Sequence, residues 1–370
     1  MSPTTRRPPA ITLEVLPASY GDALLVTCRT GRRSWRMLID TGPDEVYPQL
    51  RQRLLALPKR RNGRRWLDLL VVSHIDHDHI GGARQLLADE ELKLDFGDVW
   101  FNAPRPAARG VAEGLDLADV LGSGRPGLPW NRAMGGRPLV TPARGGGVQL
   151  GAPGAPTLTL LSPDPASLTA LWKVWERTLA QLKAPAKPKG GPPRVQALPA
   201  DLASLVGRST PDRAVANASS IAFLLEHGGA SVLLCADAVP GVLVPALKGL
   251  AARRGVERLA VDAIKLAHHG SRGNVTAELL DLVDARQVIV STDGKIFGHP
   301  DDEALARVVR ARKGQGLMLA FNHDNVRNRR WDDAGLKARY GYEVRFPKGA
   351  GRGLVVDVKL RIDLIGGSAA

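Results

Sequence analysis

The sequence predicts an α/β protein whose sheets and helices stack as a four-layer αβ/βα sandwich. Short apolar runs alternate with amphipathic stretches in two successive halves, near residues 11–100 and 157–311, the pattern of sheets covered by helices. Metal-ligand side chains directly follow apolar runs at residues 74–79, 237 and 268–269, as a cavity fed by strand ends requires. A chain of 370 residues, 44% hydrophobic, can bury a substantial core.

In chain order, residues 1–10 carry Arg6-Arg7-Pro8-Pro9 and lack the apolar segment of a signal peptide, so a disordered arm is expected. Residues 11–370 are expected to form one body. Strands are predicted at 11–15, 23–27 and 35–39, a helix at 48–57, and a buried strand at 67–72, where Leu67-Asp68-Leu69-Leu70-Val71-Val72 is nearly all apolar. A helix at 83–88 and a strand at 99–102 follow. Residues 104–150 are rich in Gly, Pro and Arg without periodicity and read as an insertion with one helix near 111–121. A strand at 157–161 precedes a helix at 165–182, whose Leu168, Leu171, Trp172, Trp175, Leu179 and Leu182 share one stripe. A second insertion covers 183–216 and contains Pro- and Gly-rich 184–193. Strands at 220–225 and 231–236, a helix at 240–252, a strand at 261–267, a helix at 275–283, a strand at 287–291 and a helix at 301–311 complete the second half. Residues 317–362 are expected to add strands and one short helix.

The most informative string is Ser73-His74-Ile75-Asp76-His77-Asp78-His79-Ile80-Gly81-Gly82. Three imidazoles and two carboxylates lie within six residues after a buried strand. These are the usual ligand types for zinc and manganese. Two further clusters, Leu233-Leu234-Cys235-Ala236-Asp237-Ala238 and Lys265-Leu266-Ala267-His268-His269-Gly270-Ser271, stand at strand ends. An Asp closing a strand is also an ordinary helix cap, and the first of these gains meaning by company.

The first string resembles the metal loop of the metallo-β-lactamase fold, written His-x-His-x-Asp-His. His74, Asp78 and His79 match; Asp76 stands where a second histidine is usual, and His77 falls on an x position. With its trailing Ile-Gly-Gly, the loop looks like the hydrolase domain of ComEC-type competence proteins and their free-standing relatives. Tyr20-Gly21-Asp22-Ala23, Leu38-Ile39-Asp40-Thr41-Gly42, Ser291-Thr292-Asp293-Gly294 and Gly298-His299-Pro300-Asp301 are similar to further strings of that set.

The resemblance implies a hydrolase using one or two divalent ions, zinc or manganese, with magnesium as a third choice. It implies that Asp78, His79 and His268 hold one ion, that Asp237 bridges, and that His74 and Asp76 hold the other, helped by Asn217 in Asn217-Ala218-Ser219-Ser220. His268 is preferred to His269 because it comes first after the strand. Asp78 is also a catalytic candidate, and His269 or His299 is the expected proton donor. With Asp76 and Asn217 where related enzymes carry histidine, one metal position is expected to be oxygen-rich and to favour manganese.

A net charge of +14 favours a polyanionic substrate. The densest run, Lys59-Arg60-Arg61-Asn62-Gly63-Arg64-Arg65, is either a solvated turn or a phosphate contact. On the second reading Arg60, Arg61, Arg64, Arg65 and Ser271 would hold phosphate. The expected activity is that of a phosphodiesterase or nuclease acting through metal-activated water. The alternatives are a hydrolase of small esters, lactones or phosphodiesters, and a non-catalytic nucleic-acid or partner-binding module. The resemblance to free-standing relatives also implies a protein partner in a defence or conflict system. Cys28 and Cys235 fall in apolar runs and are expected to be buried free thiols, which suits the cytoplasm. No run of eighteen apolar residues exists, so no membrane span is expected.

Overall fold

The computed structural model describes residues 10–103, 128–141, 148–149, 154–182, 195–207, 209–349 and 351–358. The helix expected near 111–121 and most of the two expected insertions lie outside the described residues.

The first half contributes β1 (Ile11–Val15), β2 (Leu24–Thr30), β3 (Arg33–Ile39), β4 (Arg65–Leu67), β5 (Leu69–Val71), β6 (Leu94–Phe96) and β7 (Val99–Trp100). The second contributes β8 (Val148–Gln149), β9 (Thr157–Ser162), β10 (Ala222–His227), β11 (Ala230–Leu234), β12 (Leu259–Lys265), β13 (Val283–Val290), β14 (Leu317–Phe321) and β15 (Tyr342–Arg345). The last strand, β16 (Leu354–Val358), returns to the first sheet. That sheet runs β16-β1-β2-β3-β5-β7; the other runs β15-β14-β13-β12-β11-β10-β9-β8. Each is antiparallel at one flank and parallel at the other.

The sandwich follows from strands that are apolar on both faces. On β2, Leu24 and Val26 face the second sheet, joining Ile11, Leu13, Phe223 and Val232 in the central core. Their neighbours Ala23 and Leu25 face outward, with Tyr47, Leu50 and Leu54 of helix Tyr47–Leu55 and with Leu86 and Leu87 of helix Ala83–Ala88. On β10, Phe223 and Leu225 point inward, while Ala222 and Leu224 meet the layer built by helices Pro240–Arg253, Ala277–Leu282 and Asp302–Ala311. Side-chain alternation with both faces buried explains the continuous apolar runs.

Two expectations change. The strand predicted at 67–72 is two strands: β4 pairs with β6, whereas β5 pairs with β3 and β7. Asp68 breaks it, because its carboxylate accepts from Arg36 N (2.8 Å) and Trp66 Nε1 (2.8 Å). Helix Pro165–Leu182 has the predicted bounds and packs on the first half, where Leu168, Leu171 and Trp175 join the outer core of that sheet. The C-terminal segment holds two short α-helices, Val326–Arg329 and Ala334–Tyr340, where one was expected. Both cysteines are free and buried. Among the described residues no helix is long and apolar enough to cross a membrane.

Candidate metal centre

The parallel strands β3, β5, β11, β12 and β13 all run toward one edge of the sandwich, and the loops at their ends build the site. After β5 the chain turns inward at Ser73 and His74, then forms one helical turn over His77–Ile80. This turn sends Asp78 and His79 into the protein, both buried, and His77 outward to Asp44 Oδ1 at 3.0 Å. A close approach holds the turn in place: Asp22 N donates to Asp78 O (3.1 Å), and a Cβ on Gly21 would stand 1.9 Å from that same oxygen. Only glycine fits there.

Asp40, fully buried at the end of β3, orients the loop. Its carboxylate accepts from Ser73 N (2.7 Å), Ser73 Oγ (2.7 Å) and His79 Nδ1 (2.8 Å). The Ser73 hydroxyl, its proton spent on Asp40, accepts from His74 Nδ1 at 3.0 Å. One carboxylate therefore orients both imidazoles with Nδ1 as the donor and Nε2 facing the cavity, the arrangement that metal-ligating histidines need. His269 is fixed likewise, its Nδ1 donating to Ser291 O at 2.7 Å.

Four acceptor groups then converge. His79 Nε2 lies 3.3 Å from His269 Nε2 and 3.3 Å from Asp237 Oδ1. His269 Nε2 lies 3.2 Å from Asp78 Oδ2, which is 3.7 Å from His79 Nε2. Around an ion with bonds of 2.0–2.1 Å in tetrahedral geometry, ligand atoms stand roughly 3.3 Å apart. Asp237 Oδ1 and His74 Nε2 are buried and make no hydrogen bond with any described group. Lone pairs packed this closely away from water need a cation between them. The donor set thus fits a divalent metal.

Electrostatics agree. Burial alone would disfavour a charged ring at His79 and His269, yet Asp237 and Asp78 hold His79 well above the usual histidine range, and Asp237 and Asp22 bring His269 to about 9. Burial would raise the carboxyl of Asp237, but His79, His268 and His269 keep it well below its ordinary value. The pocket attracts positive charge.

A second group of ligand-type atoms lies on the other side of Asp237. His268 Nε2 is 3.6 Å and His74 Nε2 4.0 Å from Asp237 Oδ2, and Asp76 Oδ2 is 3.5 Å from His74 Nε2. Here the geometry differs from the sequence-based order. His269, rather than His268, stands with Asp78 and His79, and His268 falls beside His74. The reason is backbone: β12 ends at Lys265, and His268 (φ 47°) and His269 (φ 54°) are both left-handed, so counting from the strand end misplaces the side chains. The oxygen-rich position expected from Asp76 and Asn217 therefore gains an imidazole. Asn217 contacts the other nitrogen of His268, its Nδ2 lying 3.3 Å from His268 Nδ1 and donating to Asp212 Oδ2 at 2.7 Å, and its buried Oδ1 has no hydrogen-bond partner among the described residues.

The His299 ring is 5.1 Å from that of His268, and burial lowers its pKa. The Ser271 hydroxyl is turned into its own loop, accepting from Gly273 N at 3.3 Å. The arginine run is not at this site. It precedes β4, whereas the metal loop follows β5. Arg64 forms a two-pronged pair with Asp95, its Nη2 at 2.7 Å, and buried Arg65 donates to the carbonyls of Leu55 and Leu92. These contacts consume the guanidinium donors that a phosphate would need, so Arg64 and Arg65 anchor the strand. Arg60 stacks on Trp66 at 3.8 Å, and Arg61 is exposed.

Sequence reasoning quoted Asp22, Asp40 and Lys265 within motifs but gave them no task. It missed Asp212 and Asn274 altogether. Asp22 is paired with buried Lys265 and lies 3.4 Å from His269 Nδ1; with His79, Asp237 and His269 it makes a set whose donor atoms are close enough to hold an ion. Because its charge is already met by Lys265, Asp78 is the better fourth ligand. Asn274 Oδ1 accepts from His268 Nδ1 at 3.1 Å. Nothing local shows that Lys265 faces Asp22, and Asp212 lies in an expected insertion without any pattern.

A direct test separates the two histidines. Single His269→Ala and His268→Ala variants should differ in metal content by elemental mass spectrometry. Removing His269 should empty the Asp78–His79 position, and removing His268 should spare it. Equal loss in both, or loss only in His268→Ala, would refute the geometric assignment.

Two helix-covered sheets with a His- and Asp-lined cavity at their shared strand-end edge define a metal-binding, hydrolase-like protein. The chain belongs to the metallo-β-lactamase superfamily: the family described as "Metallo-beta-lactamase superfamily" matches residues 22–295. Among solved structures it is similar to the metallo-β-lactamase fold protein YhfI from Bacillus subtilis, at 13% identity and a TM-score of 0.42, covering 94% of this chain and 98% of that one. It is also similar to the E377D mutant of CmlA β-hydroxylase, at 14% identity and a TM-score of 0.36, covering 86% and 53%. A search of curated proteins finds no match.

Proposed function

We propose that this protein is a metal-dependent phosphodiesterase that acts on nucleic acid, and that within the superfamily it stands beside the ComEC-type hydrolase domains. The observation that carries the hydrolytic reading is the pair of imidazole–carboxylate groups meeting at Asp237: Asp78, His79 and His269 on one side, His74, Asp76 and His268 on the other. Bound zinc, manganese or magnesium would supply Lewis acidity toward a phosphoryl oxygen and an acidified water. The chain's own part is to hold the lone pairs of His79, His74 and His269 ready through Asp40, Ser73 and Ser291, so that no reorganisation is needed when substrate arrives. His299, whose pKa burial lowers, stands beside His268 as a ring that can hydrogen-bond a phosphoryl oxygen.

Two features favour a polynucleotide. The net charge of +14 suits a polyanion. Phe297 is half exposed beside His299, with ring centroids 6.4 Å apart, and packs edge-on against Tyr20 at 5.6 Å. It is a free aromatic surface near the cavity on which a base can stack.

The test is incubation of metal-reconstituted protein with labelled single- and double-stranded DNA and RNA, alongside a small chromogenic phosphodiester and a lactone. Cleavage of a polynucleotide that stops on chelation and returns with manganese or zinc is the expected result. Turnover of the lactone alone would replace this reading with that of a small-ester hydrolase.

A further inference from the structure

Three arginines that lie away from the metal centre, Arg32, Arg33 and Arg132, gather at one groove. A groove of about 930 Å³ opens at the opposite end of the first sheet, lined in part by Arg32, Arg33, Arg132, Trp35 and Trp66. The turn that carries Arg32 precedes β3, and Asp40 follows it. The seven residues of β3 therefore separate groove from metal centre, roughly 23 Å at about 3.3 Å per residue.

Two observations give the groove a chemistry. The first is an excess of positive charge. Arg51, Arg53, Arg254, Arg329 and Arg330 each pair with a carboxylate. By contrast Arg32, Arg33 and Arg132 are exposed and form no ion pair with any described residue. Two carboxylates, Asp68 and Asp98, also line the groove, each hydrogen-bonded to neutral donors of the fold, so three guanidinium groups stand against two carboxylates. Asp68 accepts from Arg36 N and Trp66 Nε1; Asp98 accepts from Trp100 Nε1 and from the backbone of Val99, Arg132 and Ala133. Exposed Lys59, Arg60 and Arg61 extend the basic face, and Arg60 already stacks on Trp66. The second observation is the aromatic lining: Trp35 and Trp66 are partly exposed. Guanidinium groups beside indole rings suit phosphates alternating with unpaired bases, because every base has a face to stack and every linkage a charge to meet. A duplex would keep its bases stacked inside.

We propose that this groove is a second, non-catalytic site that binds single-stranded nucleic acid and tethers it to the protein away from the metal centre. The purpose of such a tether rests on the nuclease reading; the binding itself does not.

The test uses the full chain with chelator present, so that binding is read without cleavage. A fluorescein-labelled oligothymidylate is titrated by anisotropy at several salt concentrations, and tryptophan quenching is followed in parallel. In the triple variant Arg32→Glu, Arg33→Glu, Arg132→Glu, affinity should fall at least about tenfold and the log–log salt slope should flatten by roughly 2, three contacts at about 0.7 each. Quenching should be lost, and metal-dependent turnover of a chromogenic phosphodiester should stay at the parent level. The milder Arg33→Gln, Arg132→Gln variant, checked by circular dichroism, should show a smaller change in the same direction. Unchanged affinity and slope in both folded variants overturn the proposal. So does equal competition by polyglutamate or heparin, which would make the groove a general polyanion surface. Parent protein that binds oligothymidylate through these arginines but cleaves no polynucleotide would refute the nuclease reading alone. Cleavage with binding indifferent to the arginines would refute the groove alone.

Discussion

Asp237→Ala should abolish hydrolysis and lower metal content at both positions together. Asp237 is the carboxylate that both groups share: Oδ1 faces His79 at 3.3 Å, while Oδ2 faces His268 at 3.6 Å and His269 at 3.8 Å. A carboxylate can meet two cations because its two oxygens carry separate lone pairs. Removing a ligand of one position leaves the other intact; removing Asp237 weakens both. Deleting one preorganised charge-stabilising group typically costs about 10²–10³ in rate, and the loss here should exceed that. The Asp78→Ala, His79→Ala double variant should lose activity as well, yet retain metal at the His74–Asp76 position. Elemental analysis with steady-state rates distinguishes these outcomes. An Asp237→Ala protein that is folded, metal-loaded and active would end the two-position reading.

Lys265→Met should destabilise the protein by about 3–5 kcal/mol, the usual cost of removing one partner from a buried ion pair. Lys265 and Asp22 are 1% and 0% exposed. Burial opposes the charge on each, but Asp22 keeps the Lys265 ammonium above its ordinary range, and Lys265 and His269 keep the Asp22 carboxyl below its own. Without Lys265, Asp22 is left as an uncompensated buried anion behind His269. The double variant Asp22→Leu, Lys265→Met should therefore recover most of the loss, since replacing both partners with apolar groups is often neutral. Urea midpoints report both values. A single variant within about 1 kcal/mol of the parent would show that the pair carries little of the fold's stability, far from the cost expected for a buried pair.

The layered architecture and the principal ligand strings are legible in the chain because they depend on local pattern. Apolar runs such as Leu24–Thr30 and the stripe of helix Pro165–Leu182 repeat with the period of their own secondary structure. The string at residues 74–79 announces its chemistry by residue type alone. The match across residues 22–295 agrees with the resemblance read from those strings at the level of the superfamily.

Tertiary structure decided everything that depends on which distant groups meet. No local signal says that Val356 pairs with Leu13, or that a helix following β9 packs on the first sheet. Nor can residue counting foresee a left-handed backbone. Of the seven non-glycine residues with positive φ among those described, four (Asp40, Ala236, His268 and His269) belong to the loops of the metal centre. Each such conformation costs roughly 1–2 kcal/mol and is held only by its surroundings. That is why the preference for His268 over His269 changed with the structure, and why Asp40, one residue in a short turn motif, proved to orient two imidazoles. Residue types and their order determined what chemistry this protein can do. The packing of separate strand ends against one another decided which atoms do it, because lone pairs, charges and strained turns take their energies from neighbours far away in sequence.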